Sequence, residues 1–102
     1  MGTKYDLTKL PVSHRQDVEK AVKILEDIGC KEIYIFGSMV DGPVTAKSDI
    51  DLAAKGIPPG SYFKVLARLT MQLDHPVDLI SLEEDNRFGN MLRKEGYLHR
   101  VA

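Results

Sequence analysis

Two acids one residue apart, Asp49 and Asp51, lie in an apolar run that begins eleven residues after a glycine–serine pair, Gly37-Ser38. A third acid, Asp78, interrupts another short apolar run, Val77-Asp78-Leu79-Ile80. Side chains alternate between the faces of a strand, so Asp49 and Asp51 share one face while Ile50 and Leu52 take the other. Asp78 holds the same kind of position between Val77 and Leu79. If the two strands are neighbours, three carboxylates converge at one end of a sheet. Like charges that close repel and raise one another's pKa values unless cations are bound. Oxygen-only donors favour Mg²⁺ or Mn²⁺ over zinc. Two such ions about 4 Å apart can clamp the attacking and leaving oxygens of an in-line phosphoryl displacement. The chemistry this points to is metal-dependent nucleotide transfer.

Gly37 and Ser38 supply the complementary half. A glycine removes the Cβ and lets a phosphate approach the backbone. Amide N–H groups at the start of the following turn, together with a serine hydroxyl, can then hold triphosphate oxygens. Lys47, just ahead of Ser48-Asp49, is a cation available to the same phosphates, and equally an ordinary solvated loop lysine. Taken singly these features are weak: Gly-Ser is a common turn, and acids often sit at strand ends. Their order along the chain, on successive strands, is what makes the combination specific.

The elements that must position these residues can be read from periodicity. Residues 1–12 are a polar lead-in carrying Pro11. Ser13 and Gln16 have capping-box spacing. Val18, Ala21, Val22, Leu25 and Ile28 then recur at helical spacing, with Asp17, Lys20, Lys23 and Asp27 assigned to the outer face and Gly29 as the stop. Residues 33–36 are short and rich in β-formers, which predicts a buried strand ending at Gly37. A helical turn over 38–41 is closed by Gly42-Pro43, and a polar loop leads to a second strand over 49–54. Pro58 and Pro59 break the chain. Tyr62, Val65, Leu66, Leu69 and Leu73 form a second helical stripe, with Ser61 as its cap. Residues 77–81 are the third strand. From Leu82 onward, acids (Glu83, Glu84, Asp85) precede bases (Arg87, Arg93, Lys94), the order that suits the dipole of a third helix. Tyr97, Leu98 and Val101 form a tail that packs on a partner or back on the core. Helices alternate with strands, so the class is α/β or α+β with a small sheet.

Size and composition narrow the functions. The 102 residues make one domain, with no room for a second substrate-binding domain. A hydrophobic content of 43% with 28% charged residues excludes a disordered chain. The net charge of −1 supplies no general attraction to nucleic acid, so polymerisation and tRNA processing are disfavoured. No apolar run reaches the ~18 residues of a membrane span, and no signal peptide precedes the first helix. The single cysteine, Cys30, can neither form an internal disulfide nor build a zinc cluster alone. A cytoplasmic protein is the expectation.

At Gly37, Ser38, Asp49, Asp51 and Asp78 the chain resembles the minimal nucleotidyltransferase family of the DNA polymerase beta-like superfamily. The signature is an apolar strand, Gly-Ser, a spacer of about ten residues, Asp-apolar-Asp-apolar, and later a lone acid between apolar residues. The resemblance covers most of the chain. It implies a nucleotidyltransferase fold, a small mixed β-sheet with helices packed largely on one face. It also implies a nucleoside triphosphate donor, ATP by preference, and Mg²⁺. By this likeness Asp49 and Asp51 are metal ligands, Asp78 completes the metal site or acts as general base, and Gly37 and Ser38 hold the β/γ-phosphates. Minimal members commonly pair with a small helical protein carrying an HEPN domain in toxin–antitoxin modules. Some neutralise that partner by transferring AMP to a tyrosine. One departure is that many members carry an arginine in the turn after Gly-Ser, where this chain has Met39, Val40 and Asp41.

Other reactive residues read as structural. His14, His75 and His99 have no ligand spacing to each other or to Cys30, and Cys30 fits as a small apolar filler between helix and strand. Tyr62 and Phe63 read as core and rim rather than as a base-stacking platform. Two functions compete: a Mg²⁺-dependent transferase acting on a hydroxyl of a partner protein, and a binding module of the same fold that neutralises a helical partner by contact. Self-association into a homodimer is compatible with either.

Overall fold

In the computed structural model, which describes residues 4–41, 44–45, 47–82 and 98–102, the elements run helix, strand, short helix, strand, helix, strand, strand. They are α1 (Val12–Asp27), β1 (Glu32–Ile35), α2 (Ser38–Asp41), β2 (Ile50–Lys55), α3 (Tyr62–Gln72), β3 (Val77–Leu82) and β4 (His99–Arg100). The sheet order is β3-β2-β1-β4. β1 is antiparallel to both β2 and β4, whereas β2 and β3 are parallel and joined through α3. A parallel pair needs such a crossover because the chain must return to the same end of the sheet.

The strands bury alternate residues on two unlike faces. Ile33, Ile35, Ile50, Leu52, Ala54 and Leu79 join Val18, Ala21, Ile24 and Leu25 of α1 and Val65 and Leu69 of α3 in one core. The opposite face gathers a smaller cluster, Tyr34, Ala53 and Leu82, with Phe36, Ile80 and Leu98 beside it. The helices α1 and α3 thus cover one face, as the resemblance implied. Cys30 is buried in the larger core, as expected of a small apolar filler. No helix among the described residues is long and apolar enough to cross a membrane.

Several local expectations change. The lead-in holds a 3₁₀ turn at Leu7–Lys9 and a buried Leu10. Helix α1 begins at Val12 behind Pro11, without a side-chain cap. A proline there costs no donor, since the first-turn N–H groups lack helical partners anyway. Ser13 therefore lies inside the helix, where its Oγ sits 3.4 Å from His14 Nδ1. Ser61 precedes α3 but makes no capping bond, because its backbone is already helical rather than extended. The tail adopts strand β4: Val101 N–H donates to Ile33 O at 2.8 Å, and Ile33 N–H donates to Ala102 O at 3.0 Å. The acidic-to-basic third helix expected after Leu82, with Arg87, Arg93, Lys94 and Tyr97, lies outside the described residues.

Asp17 gives the largest correction. Assigned to the outer face of α1, it is fully buried, as is His14. The two are three residues apart, and Ala21 follows four residues after Asp17, so all three share the stripe that meets the core.

Candidate active site

Asp51 and Asp78 are direct partners in the parallel β2–β3 ladder. Both belong to the face that carries Phe36, Ala53 and Ile80, opposite the helices, as alternation requires. Asp49 lies one residue ahead of β2 and is exposed. Burial pushes the Asp51 carboxyl up to about 6, with the negative charges of Asp78 and then Asp49, and a hydrogen bond to the Asp78 side chain, adding to the rise. Burial is the first cause of that rise; the part that Asp78 and Asp49 add is the part a bound cation would relieve.

Among the described residues no group of three His, Cys, Asp or Glu side chains is arranged to hold a metal ion. The structure brings Asp51 and Asp78 together and leaves Asp49 acting on Asp51 through its charge. The donors are oxygen-only and mutually repelling, which fits a hard divalent cation better than zinc.

Gly37 has a nearer purpose than the sequence suggested. Its φ is +76°, a conformation that L side chains rarely adopt. A Cβ built there would lie 2.3 Å from Asp51 Oδ2 and 3.1 Å from its Cγ. The missing side chain therefore makes room for the carboxylate itself. Gly37→Ala is expected to displace the Asp51 carboxylate and add backbone strain of about 1–3 kcal/mol. A thermal melt reads the strain, and an Asp51 side-chain resonance unchanged in the variant would contradict the contact.

The turn after Gly37 is short. Val40 N–H donates to Gly37 O at 3.0 Å, and Met39 is buried in the main core. Lys47 is exposed in the loop before β2. The Ser48 hydroxyl accepts from Thr45 N–H at 2.9 Å, so it shapes its own loop, and its carbonyl oxygen lies 2.9 Å from His14 Nε2.

A cavity of about 340 Å³ opens beside the acids, lined by Asp51 and Asp78 with Phe36, Tyr62, Leu66 and Ile80 among others. The Tyr62 hydroxyl donates to Leu79 O, which fixes its ring at the cavity wall. Phe63, packed edge-on to Tyr62, is 79% exposed and belongs to the rim. Another cavity of about 180 Å³, near Ser61, Lys64 and Arg68, contains none of the acids.

Sequence reasoning passed over a buried polar cluster behind the site. Asp17 accepts from the backbone N–H groups of Asp74 and His75, both at 3.0 Å, and lies 2.7 Å from His75 Nδ1. The His75 ring stacks on His14, with centroids 3.9 Å apart and planes at 28°. The available signal was the His14–Asp17 spacing on the apolar stripe of α1. The other half of the cluster lies 57 and 58 residues further along the chain.

The family model for polymerase beta nucleotidyltransferases matches residues 19–98, most of the chain. The protein belongs to that family. Among solved structures, a crystal structure of a mutant of the toxin–antitoxin MntA–HpeT is similar, with a TM-score of 0.65 and 22% identity. That match covers 82% of this chain and 71% of the other. A structure described as a minimal nucleotidyltransferase matches with a TM-score of 0.61 and 20% identity over 99% of both chains. At such identities these likenesses are likenesses of fold. A comparison with curated protein sequences found no match.

Proposed function

We propose that this protein transfers a nucleotidyl group, AMP from ATP, to a hydroxyl on a partner protein in a Mg²⁺-dependent reaction. The observation that carries the reading is the pairing of Asp51 with Asp78 at one ladder step, with Gly37 backed against Asp51. Asp51 and Asp78, with Asp49 beside them, would hold the metal. When bound, the ion would neutralise phosphate charge and polarise the reacting oxygens. The backbone at Gly37 and Ser38, with Lys47 and Ser48 of the loop before β2, would orient the triphosphate. Asp78, which is exposed beside Asp51, would complete the metal site or take the proton of the acceptor hydroxyl. The similarity to a toxin–antitoxin structure supports a partner of that kind, which we read, with the family resemblance, as a helical protein with an HEPN domain met in the cytoplasm.

Calorimetric titration of ATP with Mg²⁺ into the wild type and into Asp49→Asn/Asp51→Asn tests this. Metal-dependent binding by the wild type alone is the expected result; equal binding by both would remove the acids from the site. The second reading, a module that neutralises its partner by contact, draws on buried Met39 in the turn where many relatives carry arginine. Under it, the double variant would still neutralise the partner in cells.

A further inference from the structure

We propose that Asp17, His75 and His14 are positioning residues that tie the starts of both acid-bearing strands to helix α1. The proposal rests on the reading of Asp51 and Asp78 as the reacting end of the sheet.

Both strands enter the sheet at the same end, because β2 and β3 are parallel. The segment before β3 is held by Asp17, whose carboxylate accepts from the N–H groups of Asp74 and His75 and from the His75 ring. The segment before β2 is held by His14, whose Nε2 lies 2.9 Å from the carbonyl oxygen of Ser48, the residue before Asp49. A carbonyl only accepts, so His14 carries its proton on Nε2. An ionised Asp17 likewise places the His75 proton on Nδ1. The stacked rings join the two anchors into one unit. Ile50 N–H closes the circuit by donating to Pro76 O at 2.8 Å.

The need for such an anchor follows from the charge and the topology. Among the described strands, β3 is an edge, paired to β2 alone. The acids of these two strands are ladder partners, and when both are ionised their repulsion acts to separate the strand starts. A buried carboxylate with three donors cannot yield gradually, since each donor it releases is left unpaired. It therefore fixes the separation at which the acids meet a cation, in the way outer partners orient metal ligands elsewhere.

The test uses the full chain with Asp17→Asn, His14→Ala and His14→Gln, read by amide NMR and by titration with Mg²⁺ alone. Folded variants should keep the amide shifts of β1 and β4 while those of Asp49 to Asp51 and Val77 to Asp78 move. Mg²⁺ affinity should fall about 10- to 100-fold in Asp17→Asn and His14→Ala. His14→Gln, whose side-chain N–H can reach the Ser48 carbonyl, should recover most of it. Where Asp17→Asn does not fold, the His14 pair decides. Strand-start amides that stay put, or a glutamine no better than alanine, would overturn the proposal. If the wild type binds no Mg²⁺ even with ATP present, the transferase reading fails, and the amide shifts alone still decide whether the cluster sets the strand starts.

Discussion

Asp51→Asn is expected to abolish nucleotidyl transfer and, in metal-free buffer at neutral pH, to make the protein more stable than the wild type. Under the proposed function the loss of transfer would follow from removing an oxygen donor to the metal, a change that on the scale of metal-ion stabilisation costs about a thousandfold in rate. The gain in stability follows from the direction of the pKa shift. The Asp51 carboxyl is pushed up to about 6 in the folded protein, against 3.8 for a free aspartate side chain. The folded form therefore binds the proton more tightly, and the wild type loses stability as pH rises from about 4 through 6. Asparagine removes that loss, so the two proteins should differ above pH 6 and converge below about pH 4. Because the carboxyl is partly exposed, solvent screening reduces the gain to about 1 kcal/mol, or about 4–8 °C in Tm for a chain of this size. Adding Mg²⁺ should reverse the order, stabilising only the wild type. Thermal melts at several pH values with chelator check the sign. A difference that does not change with pH would mean that titration of the Asp51 carboxyl, raised by burial and by the facing acids, is not its cause.

The second large effect is expected at a residue far from the acids in sequence. Asp17→Ala removes the acceptor shared by two backbone N–H groups and the ring of His75. Breaking a buried charged network by deleting one member costs about 3–5 kcal/mol, out of a total of about 5–15 kcal/mol for a domain of this size. Urea titration should show a large fall in midpoint with little change in slope. A loss below about 1 kcal/mol would mean that water replaces the carboxylate at no cost. Lys20 and Lys23, on the same helix but exposed, should tolerate alanine with almost no change.

The contrast between Asp17 and Asp51 explains what the sequence could reveal. The i, i+2 rule placed Asp51 on one face and Leu52 on the other, and the structure agrees because strand alternation is local geometry. The pairing of Asp51 with Asp78 was legible as a condition, since β2-α3-β3 order favours neighbouring parallel strands. Asp17 was misassigned because a charged residue on a helix is usually solvated, and its partners are supplied by a distant loop. Strand β4 was missed for a related reason: two residues carry no period, and their pairing with β1 is set by tertiary contact. The caps expected at Ser13 and Ser61 failed because the chain enters α1 through Pro11 and α3 through an already helical Ser61. Gly37 was legible as a special position, but the reason for it, the Asp51 carboxylate, needed the third dimension.

The ladder step shared by Asp51 and Asp78 also means that hydrophobic packing sets the register of the acids and the face they occupy. A slip of β3 by one residue would turn Asp78 toward the helices and bring Val77 or Leu79 out to the other face. Leu79, buried against α3, forbids that slip far more strongly than two repelling carboxylates could enforce any arrangement of their own. Leu52 does the same for β2. The greasy side of the sheet is thus the ruler for its charged side. A change of side-chain shape in the core, with every acid intact, is a route by which the reactive face can be lost.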